Sequence, residues 1–160
     1  MNASGIWYDR ATPLGRYLLK VLSYVGTPYL WGAKGMRYYT GLLTPAFALD
    51  CSGGVTVAAQ AAGGPDLRDT HKAHRLADES EPVEVPEPGD LAFYGLGKVV
   101  HVMTVLSRLP SGEVFVVGPS GGDSSTTTLE MARQQCASSK VYPTHLYRAD
   151  FLRFGKGLFR

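Results

Sequence analysis

Two residue types in this sequence can combine into acyl-transfer chemistry, a cysteine at the start of a helix and a histidine in a strand. Cys51 stands in Ala48-Leu49-Asp50-Cys51-Ser52-Gly53-Gly54-Val55, where an irregular polar segment gives way to the small and apolar run Thr56 to Ala62, ended by Gly63-Gly64. That run predicts a buried helix with Cys51 in its first turn. Unpaired N–H groups and the positive end of the helix dipole favour a thiolate there, which points to a nucleophile. A buried structural cysteine is the plain alternative, because free Cys packs as a small hydrophobe. His101 lies in Val99-Val100-His101-Val102-Met103-Thr104-Val105-Leu106. In a strand, Val100 and Val102 face away from it, so His101 shares a face with Val99 and Met103, from which it could meet the Cys51 helix. Imidazole takes a thiol proton and returns it to a leaving amine, so this pair can build a cysteine peptidase.

The elements that must position this pair follow from pattern and punctuation. Thr12-Pro13-Leu14-Gly15 caps a helix that Gly26 stops, with Leu14, Leu18, Leu22 and Val25 on one face. Gly26 to Ala33 reads as a turn into a short extended segment along a cleft, and Lys34 to Ala48 as a long loop shaping its rim. Asp66 to Glu79 is polar, with His71, His74 and Leu76 spaced for an exposed second helix, and Glu81 to Pro88 is a connector. Gly89-Asp90 opens the strand Leu91 to Tyr94, and Pro110-Ser111-Gly112-Glu113 joins the His101 strand to Val114–Val117 as a hairpin. Gly118 to Ser125 is a turn, Leu129 to Ala137 a helix carrying Cys136, and Lys140 to Tyr147 a last strand. Phe151, Leu152, Phe154, Leu158 and Phe159 dock the C-terminus. Helices first and an antiparallel sheet after them give an α+β order.

Composition limits the possibilities. The 160 residues are 44% hydrophobic and 19% charged, which suits one catalytic domain over 1–160 with a real core. A net charge of +2 with no Lys/Arg stripe gives no reason to expect nucleic acid. Two widely separated cysteines make a poor disulfide framework, so both are expected free. No run reaches the ~18 apolar residues of a membrane span, and Met1 to Thr12 lacks the pattern of a secretion signal. His71 and His74 lack a third ligand, so no metal is expected, nor any cofactor. Gly118 to Ser125 lacks the Gly-Lys-Ser/Thr ending of a phosphate loop.

Four segments in order, Gly26-Thr27-Pro28-Tyr29-Leu30-Trp31-Gly32, Leu49-Asp50-Cys51-Ser52-Gly53, Pro88-Gly89-Asp90-Leu91-Ala92-Phe93 and Val100-His101-Val102, closely resemble the NlpC/P60 family of papain-like cysteine peptidases. The resemblance runs from about Thr12 to Phe151. It implies hydrolysis of peptidoglycan stem peptides, typically between γ-D-glutamate and the diamino acid, with Cys51 as nucleophile and His101 as general base. It further implies that Tyr29 helps hold the oxyanion and that Asp50 and Ser52 help bind the free amine of a stem peptide; Asp50 also suits plain helix capping. The expected partner is the peptidoglycan stem peptide, and the expected state a monomer. A phage lysin or virion-associated enzyme, a bacterial effector, or a domain of a longer secreted protein would each fit action at the cell wall. A papain-like amidase or acyltransferase and a weakly catalytic wall-binding module remain the alternatives.

The sequence departs from that family in places. The Gly32–Asp50 interval is long, Met103 stands where glycine is usual, and Gly54 stands where an apolar side chain is usual. These last two are expected to trade volume between neighbours. The family's third polar residue should fall on the strand after the hairpin, where Val117-Gly118-Pro119 offers no suitable side chain. Hairpin register puts Ser120 on the face of His101, and chemistry favours Asp123, whose carboxylate would stabilise an imidazolium; water or a backbone carbonyl is the other choice. His145 is expected at the surface and Cys136 packed on its helix.

Overall fold

Thr12 accepts a hydrogen bond from the Gly15 N–H and Pro13 takes the first helical position, so helix α1 (Pro13–Ser23) starts where the capping signals place it. The computed structural model describes residues 8–160. Tyr17, Leu18 and Val21 form the buried face of α1, whereas Val25 lies beyond its end and is exposed.

The Lys34–Ala48 segment is not an irregular loop. It folds into a two-stranded antiparallel hairpin, β1 (Lys34–Arg37) with β2 (Leu43–Leu49), in which Lys34 pairs Leu49. Helix α2 (Cys51–Ala61) follows at once, is buried through its first nine residues and packs on α1. The polar stretch after it forms only one short helix, α3 (Ala73–Asp78), leaving His71 outside it.

A six-stranded antiparallel sheet makes up the second half. Its strands are β3 (Pro82–Val83), β4 (Leu91–Tyr94), β5 (His101–Arg108), β6 (Val114–Ser120), β7 (Ser138–Tyr142) and β8 (Phe151–Gly155), in the order β3-β8-β4-β5-β6-β7. Helix α4 (Leu129–Gln134) and the 3₁₀ turn η1 (His145–Tyr147) flank β7. The C-terminus therefore does more than dock: β8 inserts between β3 and β4, aligning Phe154 with Ala92. The expected last strand stops at Tyr142, because Pro143 follows and Thr144 caps η1. Among the described residues no helix is long and apolar enough to cross a membrane.

Strand alternation gives the sheet two different faces. Leu91, Phe93, Val102, Leu106 and Val117 pack beneath α1 and α2. Ala92, Tyr94, Met103, Val105 and Val116 face the other way, against Tyr142, Tyr147, Phe151 and Phe154. Helix plus antiparallel sheet is the α+β arrangement that the sequence predicts.

Candidate active site

Helix α2 begins at Asp50, whose carboxylate accepts the Gly53 N–H at 2.6 Å. Glycine is required at 53: a Cβ there would sit 2.4 Å from the Ala33 carbonyl oxygen and 3.0 Å from Asp50 Oδ1. The same carboxylate oxygen accepts from Lys34 Nζ at 2.7 Å and from the Ser52 hydroxyl at 3.1 Å. Lys34 also donates to Ser52 Oγ. The Lys34 side chain is completely buried. Neither the capping motif nor the family pattern signals this lysine; only the pairing of β1 with the residue before Asp50 brings it there.

Cys51 occupies the first turn of α2 and lines a cleft of about 980 Å³ together with Asp50 and Ser52. Trp31, the β1–β2 connection (Tyr38, Tyr39, Thr40, Leu42), Lys72 and His74 form one part of its wall, and Gly97 to Val100 another. The hairpin is thus a rim of the cleft, as the length of the Lys34–Ala48 segment suggests. The sulfur lies 4.0 Å from the Val100 carbonyl oxygen. Burial pushes the thiol up to about 11, and the Asp50 charge adds to the shift; Lys34 and the backbone N–H groups of Val102 and Ser52 oppose it.

His101 opens β5, and the sulfur of Cys51 touches the strand backbone on either side of it. The ring itself does not line the cleft. It shares the face of Met103, as expected, but that face carries the aromatic layer rather than α2. Its neighbours are Tyr94, with ring centroids 5.5 Å apart, and Tyr147, whose hydroxyl lies 2.7 Å from Nε2. Burial, reinforced by the Arg148 charge, holds the imidazole down at about 3, so it is neutral at ordinary pH.

Tyr147 is therefore the side chain that meets Nε2 of His101. Its ring stacks on Tyr142 at 3.9 Å, and the Tyr142 hydroxyl is 2.8 Å from Ser120 Oγ. Ser120 thus reaches this layer at one remove, through a tyrosine, instead of bonding the imidazole. The β5–β6 register shifts by one position between Val105 and Ser107, and the pairing ends at Thr104 with Val117, before it reaches His101. Asp123 lies in the following turn, where its carboxylate accepts from the backbone N–H and the hydroxyl of Ser125. Those bonds hold its pKa below the usual carboxylate range.

Tyr29 is buried, with its ring against Gly122, where a Cβ would stand 2.3 Å from Cδ1. Burial raises its phenol first, and negative charge on Cys51 and Asp50 raises it further. The histidine pair at 71 and 74 does not form a solvated helix face: His71 is buried and its Nε2 is 2.7 Å from Glu79 Oε2, while His74 is exposed at the cleft. His145 packs between Phe151 and Phe154, with centroids at 4.7 and 4.9 Å. Cys136 is no packed helix residue: it is exposed, follows the end of α4, and has φ of 52°. Both cysteines are free.

Comparison with known proteins agrees with this architecture. The chain is similar to the peptidoglycan hydrolase RipB from Mycobacterium tuberculosis, at 20% identity and a TM-score of 0.62, over 94% of this chain and 67% of that one. It is also similar to RipD from the same organism, a non-catalytic NlpC/p60 domain protein adapted to peptidoglycan binding, at 18% identity and a TM-score of 0.60, over 92% and 98% of the two chains. The NlpC/p60 domain of the peptidoglycan hydrolase SagA matches at 21% identity and a TM-score of 0.58, over 91% and 98%. A search of curated protein sequences gives no match. The model of the NlpC/P60 family matches residues 26–150, and with the Cys51 helix, the β5 histidine and the sheet arranged as described, this chain belongs to the NlpC/P60 family.

Proposed function

We propose that this chain is a single catalytic domain that hydrolyses an amide bond in peptidoglycan stem peptides, the bond between γ-D-glutamate and the diamino acid, with Cys51 as nucleophile. The observation that carries this reading is a thiol in the first turn of α2, lining a cleft large enough for a peptide, against the strand that carries His101. Cys51 Sγ attacks the carbonyl carbon, the carbonyl oxygen takes the negative charge, and collapse expels the amine with a proton to leave a thioester that water hydrolyses. Tyr29 and the first-turn N–H groups are the donors for the oxyanion.

His101 is the base assigned to the thiol proton. To accept it at Nδ1, the imidazole must carry its other proton at Nε2 and donate that proton to the Tyr147 oxygen. Tyr147 is therefore assigned as the group that fixes the tautomer. With the thiol near 11 and the imidazole near 3, the resting pair is neutral, so the proton moves as substrate binds and attack begins.

Those same two shifts favour a second reading, in which the cleft binds wall peptides without cutting them. One experiment separates the two: incubate purified peptidoglycan with the protein, measure new free amines, and measure cosedimentation with the wall. Hydrolysis predicts amine release by the native protein and none by Cys51→Ala, with both pelleting. Pelleting without amine release by the native protein would establish the binding reading instead.

A further inference from the structure

Tyr147 is delivered to His101 by an element with little rigidity of its own. The turn η1 has three residues, none of them buried, and its middle residue Leu146 has non-helical dihedral angles. A 3₁₀ turn has poor hydrogen-bond geometry, so its surroundings must hold its shape. On the entering side Thr144 Oγ1 accepts from the Leu146 N–H at 3.1 Å. On the leaving side the backbone is extended at Arg148, which lets Arg148 and Asp150, two positions apart, reach each other. Arg148 Nε and Nη2 donate to Asp150 Oδ1 and Oδ2 at 2.8 and 2.7 Å, a bidentate fork. Asp150 is itself tied to the sheet. Its carbonyl accepts from the Gly95 N–H at 2.9 Å, just past the end of β4, and the next residue, Phe151, pairs with Tyr94. The Arg148 guanidinium carbon lies 5.7 Å from the centre of the Tyr94 ring, the same ring that borders His101 at 5.5 Å and Tyr147 at 5.4 Å.

We infer that the Arg148–Asp150 fork is a positioning device for the proposed reaction, tying the chain that leaves η1 to the end of β4 and so keeping the Tyr147 hydroxyl on His101 Nε2. The inference rests on the proposed roles of His101 and Tyr147, but the hold of the fork on the ring is independent of whether a peptide is cut. Neither side chain lines the cleft, so both act through Tyr147. Their side chains are 35% and 18% exposed, and a pair so placed contributes only about 0–1 kcal/mol to stability. What a planar fork adds is orientation, which a lysine ammonium at the same place would not supply. Without it the hydroxyl leaves Nε2, the imidazole loses the acceptor that favours its Nε2–H tautomer, and rings with the proton on Nδ1 cannot take the thiol proton there.

The test uses Arg148→Lys, which keeps the charge and loses the fork, and Asp150→Asn. The first readout needs no hydrolysis: ¹⁵N-histidine NMR at about pH 7, with the His101 signals identified by their loss in His101→Asn, reports which ring nitrogen carries the proton. The native ring is expected as the Nε2–H tautomer and both variants as a mixture, with Tm moved by less than about 4 °C. The second readout is kcat on stem peptides, expected to fall about three- to tenfold in each variant with little change in KM. In a Tyr147→Phe background, Arg148→Lys should lower kcat no further, because the hydroxyl it positions is gone. Variants that keep the native tautomer, or losses from Tyr147→Phe and Arg148→Lys that simply add, would overturn the inference. A native ring protonated on Nδ1 would remove the tautomer assignment and this inference with it. The expected change of tautomer in a protein that releases no amine would count against the peptidase reading and leave the positioning role standing. Should Asp150→Asn fail to fold, Arg148→Lys decides alone.

Discussion

At the scale of single residues, the two groups that do the proposed chemistry are both held in their neutral forms by burial. A thiol near 11 has little thiolate at neutral pH, so alkylation of Cys51 in Cys136→Ser should climb steadily from about pH 8 to about pH 10 with no plateau, unlike a thiol ionised in a stable ion pair. A plateau near neutrality in the rate of iodoacetamide labelling would contradict that electrostatic picture. Tyr147→Phe keeps the ring stacked on Tyr142 and removes only the hydroxyl on His101 Nε2. It should lower kcat by about tenfold with little change in KM and alter the pH profile of the reaction, as expected of a group that positions the base. Ser120→Ala and Asp123→Ala should have much smaller effects, because their side chains bond Tyr142 and Ser125 and not the imidazole. Equal kinetics for Tyr147→Phe and the native protein would leave His101 without an orienting side chain.

At the scale of elements, two departures from the family pattern turn out to be complementary. Helix α2 meets β6 where a Cβ on Gly54 would lie 2.6 Å from Pro119 Cδ, and β5 meets β6 where a Cβ on Gly118 would lie 2.9 Å from Met103 Sδ. A larger residue on one element is matched by glycine on the next, so volume is traded as the sequence suggests. The exchange also removes any polar side chain from β6 at 117–119 and leaves the imidazole to be met from η1. Gly54→Ala should therefore cost about 1–3 kcal/mol in denaturant unfolding, the usual range for overpacking a core. Pro119→Ala should recover much of that loss, so a double-mutant cycle should give a clear coupling energy. Simple additivity of the two substitutions would place the clash elsewhere.

At the scale of the whole molecule, a sheet covered on both faces explains both an acid sensitivity and a tolerant rim. Unfolded, His101 takes up a proton near 6.5; folded, only near 3. Between those values the unfolded chain binds more protons, so stability falls as pH drops from about 6.5 toward 3. His101→Asn should flatten this fall by up to about one proton in the slope of unfolding free energy against pH, and an unchanged slope would show that the ring titrates freely in the folded chain. The hairpin rim behaves differently. Leu42 lines the cleft yet is 68% exposed, so Leu42→Ser should leave Tm unaltered while raising KM for stem peptides, as measured by thermal melts and steady-state kinetics.

The sequence by itself determined the local parts. Cys51 at a helix start, the Asp50 cap, the α1 start, the β5–β6 hairpin and the α+β order all follow from short-range patterns of capping, periodicity and turn chemistry, which act over a few residues. The hairpin within 34–48 was hidden because Pro45 and the glycines at 35 and 41 read as loop, whereas pairing with the segment before α2 made strands of it. Tertiary structure alone decided what surrounds the reacting groups. Lys34 reaches Asp50 only through the β1–β2 pairing, and Tyr147 reaches His101 only because β8 leaves the C-terminus and enters the sheet, folding η1 back over β5. The β5–β6 pairing ends at Thr104, short of His101, and Ser120 bonds the Tyr142 hydroxyl instead of the imidazole. Such contacts join residues far apart in the chain, and their partners are fixed by the packing of whole elements, for which no local pattern codes.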